Sequence, residues 1–167
     1  MPQAVAIAAT TQIDATGAAT IGGAVPTYSK PRSFDIVLAD GTGSGQASKA
    51  YAATRTVATA ANDDIDLAGG PLTDVFGVAV SFATVKAIVI RAASANTTTL
   101  TVSPAPSNGF QGPFGAAAHT VQVRPGGALV FVAPQTGWTV TPATGDLLRI
   151  ANAAGASADY SIEIVGT

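Results

Sequence analysis

From Ser33 onward, apolar and polar residues alternate in short runs. In "SFDIVLAD" (33–40), Phe34, Ile36 and Leu38 fall on one side, the two-residue period of a strand with one buried face. "VFGVAVSF" (75–82) and "TVKAIVIRAA" (84–93) are dense in Val, Ile and Phe, and read as strands with little polar relief. "TTTLTVS" pairs Leu100 with Val102, "HTVQVR" pairs Val121 with Val123, and "ALVFVAP" pairs Leu129 with Phe131. "GWTVTP" pairs Trp138 with Val140, and Trp138 reads as a buried core anchor next to the strand "DLLRIAN". In "DYSIEIVG", Tyr160, Ile162 and Ile164 point inward while Ser161 and Glu163 point out. Turn residues separate these runs: Ser107-Asn108-Gly109, Pro125-Gly126-Gly127, Thr136-Gly137, Thr144-Gly145-Asp146 and Ala154-Gly155. No helical stripe and no internal repeat stands out. Many short strands punctuated by Gly, Pro and Asn turns predict an all-β fold, an antiparallel, jelly-roll-like β-sandwich spanning 33–167.

Two stretches depart from that pattern. "QASKAYAATRTVATAAND" is alanine-rich enough for a helix, with Ala47, Ala50, Thr54, Val57 and Ala61 on one face. The alternation of Tyr51, Ala53, Arg55 and Val57 suits a strand equally, and the Thr and Val content favours the strand over 46–61. Residues 1–32 have no sustained period, consist largely of Ala, Thr and Gly, and carry Pro26 and Pro31 near their end. Small side chains bury little area, while ordering the backbone costs about 1–2 kcal/mol per residue. The segment is nevertheless too apolar for a solvated tail. It is therefore expected to be an arm ordered by a neighbour, with Val5, Ile7, Ile13, Ile21 and Val25 as its partner-binding residues.

Composition narrows the function. Charged residues are 11% of the chain, aromatics 6%, and the net charge is −2. So low a charge fits a protein packed against other subunits, and self-association is expected; a general alanine bias is the competing explanation. Lys and Arg are scattered singly, which argues against nucleic-acid binding. The absence of cysteine excludes disulfides, thiolate metal sites and cysteine nucleophiles. No apolar run approaches a membrane span, and Met1-Pro2-Gln3 opens no signal-peptide pattern, so a soluble protein made in the cytoplasm is expected.

Candidate chemistry is sparse. "LADGTGSGQASKAY" has the glycines, hydroxyls and lysine of a phosphate-binding loop. Counted from Gly41, however, Gln46 stands where the second glycine belongs, Ala47 where the lysine belongs, and Lys49 is displaced. The dinucleotide pattern fails at the same Gln46, and a flexible turn after the 33–39 strand is expected instead. His119 is the single histidine and has no triad or zinc partner in sight. Asp63, Asp64 and Asp66 in "NDDIDLAGG" form the densest acid cluster. They lack calcium-loop spacing, and the plainer reading puts Asn62 and Asp63 in a turn with Ile65 and Leu67 in the core. Asp40, Asp74, Asp146 and Glu163 are dispersed. No catalytic residue, cofactor or metal is assigned, and an enzyme is not expected.

The segments "GTGSGQASKAY", Thr54-Arg55, "DIDLAGGPLTDVFG", "VKAIVIRAA", "VRPGGALVFVAP", "GWTV", "GDLLRIANAAG" and "YSIEIVGT" run in that order from Gly41 to Thr167. In order and type they resemble a family of small structural proteins in the virions of tailed bacteriophages. The resemblance implies a β-rich particle component with no enzymatic residues to carry over. It points to a capsid decoration (cement) protein that clamps major capsid subunits with a sandwich domain and an arm, and resides in the virion after synthesis in the bacterial host cytoplasm. A tail or baseplate protein with the same sandwich is the alternative. A carbohydrate-binding module is a weaker one, because Tyr28, Tyr51, Tyr160 and Trp138 are too few and scattered for a sugar platform.

Overall fold

The computed structural model describes residues 7–13, 16–18, 27–29, 32–74, 76–153 and 155–167, with side chains from Ile36 onward. Among these residues there are strands and turns but no helix. The strands are β1 (Ile7–Ile13), β2 (Thr16–Ala18), β3 (Thr27–Ser29), β4 (Arg32–Asp40), β5 (Gln46–Ala47), β6 (Lys49–Val57) and β7 (Ala61–Asp66). They continue with β8 (Thr84–Ala92), β9 (Leu100–Pro104), β10 (Val121–Val123), β11 (Ala128–Val132), β12 (Trp138–Thr139), β13 (Leu147–Asn152) and β14 (Ala158–Gly166).

Two antiparallel sheets form the sandwich. One has the order β10-β9-β13-β7, the other β11-β8-β14-β6. β12 takes up the edge of β8 where β11 leaves off: Val132 faces Ala87 and Trp138 faces Val85. The intervening 133–137 turn is held by Gly137 in a left-handed conformation (φ 67°) and by Lys86, a buried lysine whose Nζ donates to the Gln135 carbonyl at 2.7 Å.

The inner faces follow the sequence alternation. Tyr51 and Val57 of β6, Ile88 and Ile90 of β8, and Tyr160, Ile162 and Ile164 of β14 meet Ile65 of β7, Leu100 and Val102 of β9, and Leu148 and Ile150 of β13. Each such side chain contributes roughly 1.5–3 kcal/mol on burial. The ambiguous 46–61 stretch is therefore strand and turn, with Tyr51, Ala53, Arg55 and Val57 as its inward row.

A third layer lies outside the sandwich. β4 belongs to neither large sheet. It pairs antiparallel with β1, Ile7 facing Leu38 and Ile13 facing Arg32, and briefly with β5 in parallel. Ile36 and Leu38 are buried with Ala47, Ala87 and Val165, with Val132 against them. β8 is consequently buried on both faces from Val85 to Ile90, which is why "AIVI" (87–90) reads as a continuous apolar run.

Two expectations are corrected. Over its described residues, 76–82, "VFGVAVSF" is not a strand. Asp74 accepts the backbone N–H groups of Phe76 (2.8 Å) and Val78 (2.9 Å), and Gly77 turns with φ 78°. Val80 and Phe82 then enter the core, while Phe76 and Val78 are 85% and 61% exposed. Nor do Asn62 and Asp63 form a turn; they lie in β7. The turn precedes them, with the Ala61 N–H donating to the Ala58 carbonyl at 3.2 Å. Ala60 adopts φ 54°, a left-handed conformation that nothing in an alanine signals beforehand.

Candidate functional site

The glycine-rich loop is built closed. β4 and β5 run in the same direction with 41–45 looped out between them, so that Ala39 lies beside Gln46. Gly41 (φ 138°) and Gly45 (φ 67°) supply the backbone conformations. The Gln46 side chain folds back into the loop, where its Oε1 accepts the Gly43 N–H at 2.8 Å. A Cβ on Gly41 would stand 2.5 Å from that oxygen. The loop's inward space and one of its amides are thus taken by Gln46, the residue that breaks the phosphate-loop pattern.

The acid cluster is dispersed by strand alternation. Asp63 points inward along β7 and meets Arg55, inward on β6, through a bidentate ion pair of 2.6 and 2.7 Å. Tyr160 Oη donates to Asp63 at 2.7 Å, and Arg55 donates to Tyr51 Oη at 3.1 Å. β6 and β7 are edge strands of opposite sheets, so this group closes one open side of the sandwich. Burial opposes ionisation of Asp63 more than any other single influence. The bonds from Arg55 and Tyr160 together outweigh it and hold the carboxyl below its usual range. The bond to Asp63 is likewise the main reason the Arg55 guanidinium is held protonated more firmly than usual. Burial, then the bond to Asp63, pushes the Tyr160 phenol above its ordinary value, so it remains a donor. Asp64 points outward and pairs bidentately with Arg149, directly opposite on β13, at 2.6 Å through both bonds. Asp66 accepts the Ala68 and Gly69 N–H groups at 3.0 and 2.7 Å. The three carboxylates therefore serve three separate structural ends. No group of three or more metal-ligating side chains occurs among the described residues.

His119 precedes β10 and donates from Nδ1 to the Phe114 carbonyl at 2.6 Å. Trp138 is half-buried, short of the fully buried anchor expected. As part of β12 it sits at the margin of the core, edge-on to Phe131 with ring centres 6.3 Å apart, and Phe131 stands edge-on to Phe114 at 5.4 Å. Gly112 admits the indole, since a Cβ there would come within 2.6 Å of the Trp138 side chain. Of the expected arm contacts, Ile7 and Ile13 occupy the two ends of β1. Val5, Ile21 and Val25 lie outside the described residues.

The surface feature most suited to a partner is not visible in the sequence. The outer edge of β6 has no strand beside it among the described residues. Next to it runs a groove of about 400 Å³, floored by Lys49, Ala50 and Ala52 and walled by Phe76, Val78 and Val80. Phe76 and Val78, hidden within a strand-like run of sequence, stand exposed on its rim. Exposed apolar side chains beside unpaired backbone donors and acceptors are features of a contact surface. No protein-family model matches this sequence, and a search of curated proteins returns no match.

Proposed function

We propose that the protein is a structural component of a phage virion, a capsid decoration protein that binds the major capsid shell and resides on the particle. The observation that carries this reading is the exposed Phe76–Val78 rim beside the groove and the unpaired β6 edge. A charge-poor sequence supports it, as does the pattern resemblance of residues 41–167 to virion structural proteins. In this reading an extended shell segment lies along β6, with apolar side chains against Phe76 and Val78, and the N-terminal segment adds a second contact. Binding to the assembled shell and not to free subunits stabilises the shell by mass action.

The test uses heads assembled without the protein. Purified chain should saturate them, and Phe76→Ser with Val78→Ser should lower occupancy at least tenfold. Because both side chains are exposed, the double variant should keep its melting temperature. Failure of the wild-type chain to bind heads, combined with binding to isolated tails, would favour the tail or baseplate alternative.

A further inference from the structure

We infer that the β1–β4 ribbon is exchangeable between copies of this chain, the ribbon of one copy seating on the outer face of the β8–β14 sheet of the next. That outer face has two halves. Toward one end it is polar, where Arg91 pairs with Glu163 at 2.8 Å in solvent. Toward the other it is apolar: Ala87, Val89 and Val165 are 6%, 5% and 8% exposed. Ile36 and Leu38 are the cover over Ala87 and Val165. β4 has no backbone pairing with β8, β11 or β14; its strand partners are β1 and two residues of β5. The ribbon is therefore held on the sheet by side chains, and this cluster is separate from the main core.

The tether stores length. Parallel neighbours ordinarily need a crossover of a dozen or more residues. Here the return is made locally, within the short stretch from Ala39 to Gln46. Adjacent strands lie about 4.8 Å apart, whereas about seven extended residues span about 23 Å. Opening the loop thus releases nearly 20 Å of reach, by roughly the same arithmetic. What it breaks is confined to the loop: Ala39 N–H to Gly45, Gly41 N–H to Ala47, Gly45 N–H to Pro134, the bonds between Gly43 and Gln46 in both directions, and the Ser44 hydroxyl to the Gln135 side chain. A ribbon seated on a neighbour remakes every contact of Ile36 and Leu38 unchanged, which is the condition for exchanging an element between identical copies. The inference does not rest on the shell reading and is tested on the purified chain.

The chain has no cysteine, so introduced thiols report cleanly. Ile36→Cys and Ala87→Cys are placed on separate chains, mixed at high concentration, and joined with a short bis-maleimide. A covalent dimer of twice 16.4 kDa that grows with concentration is expected. Deletion of residues 41–45 removes the slack that lets β4 return beside β5 of its own chain, and should shift the linked product further toward the dimer. A dimer yield indifferent to that deletion would mark chance encounters and overturn exchange. The double variant Ile36→Cys/Ala87→Cys on one chain checks the seat itself. Linkage within the double variant, with no dimer from the mixture at any concentration, overturns exchange. Absence of linkage in both overturns the seat and the inference with it. Leu38→Cys with Val165→Cys repeats the test where the first pair perturbs folding.

Discussion

Asp63 joins side chains from three strands across the open side of the sandwich, and its replacement separates charge from shape. Asp63→Asn should cost about 1–3 kcal/mol, because Arg55 loses its counter-ion and the Tyr160 hydroxyl its charged acceptor. The folded carboxyl titrates below its usual range. Its contribution is therefore complete above the unfolded value of about 3.9 and is lost as pH falls through the lower folded value. Thermal unfolding of both proteins should show a constant gap above about pH 5 that narrows below about pH 4. A gap independent of pH throughout would mean that the ion pair contributes nothing beyond packing. Trp138→Ala should cost about 3 kcal/mol, the lower end for large aromatic truncations, since only part of the indole is covered. Iodide should quench its fluorescence partially, between the limits for free and buried tryptophan. At this scale the sequence is legible where alternation governs: Tyr160, Ile162 and Ile164 inward, Glu163 outward. The fate of the Asp cluster is not, because the partners Arg55 and Arg149 are fixed by strand register and not by spacing along the chain.

Among the elements, the loop at 41–45 and the segment 70–83 show opposite outcomes. The loop is legible as a turn, since a glycine run without the required lysine leaves little else. Its occupation by Gln46 gives that expectation a physical cause. Calorimetry with ATP or GTP and magnesium should show no heat of binding, and Gln46→Gly, which empties the loop, should not create any. A micromolar affinity in either protein would contradict the turn reading. The 75–82 run misleads because its composition is that of a strand, while Asp74 and Gly77 impose a tight turn at its start. One carboxylate accepting two backbone N–H groups decides the path of the chain. Hydrophobicity then sorts Val80 and Phe82 inward and leaves Phe76 and Val78 outside.

For the whole molecule, the all-β sandwich is legible because nearly every inner strand obeys a period of two. The third layer is not: "SFDIVLAD" alternates like a sandwich strand, and nothing in the alternation says which sheet face it covers. Two truncations separate the layers. Removal of 1–32 leaves Ile36 and Leu38 available to the outer face and should change the melting temperature little. Removal through Asp40 uncovers Ala87 and Val165. It should lower the melting temperature by roughly 5–10 °C and raise binding of an apolar fluorescent dye. Equal behaviour of the two truncations would show that β4 contributes no cover. β14 has a consequence of another kind. Among the described residues it is the last strand in chain order, yet it lies inside its sheet, bonded to β6 on one side and β8 on the other. During synthesis β6 and β8 must wait with their facing edges unpaired until residues 158–166 emerge. The sheet then closes across a separation of about a hundred residues, the kind of long-range pairing that folds in milliseconds to seconds. Timing is thus written into the strand order: the sandwich closes late, and until it does, the apolar edges of β6 and β8 are open to other nascent chains.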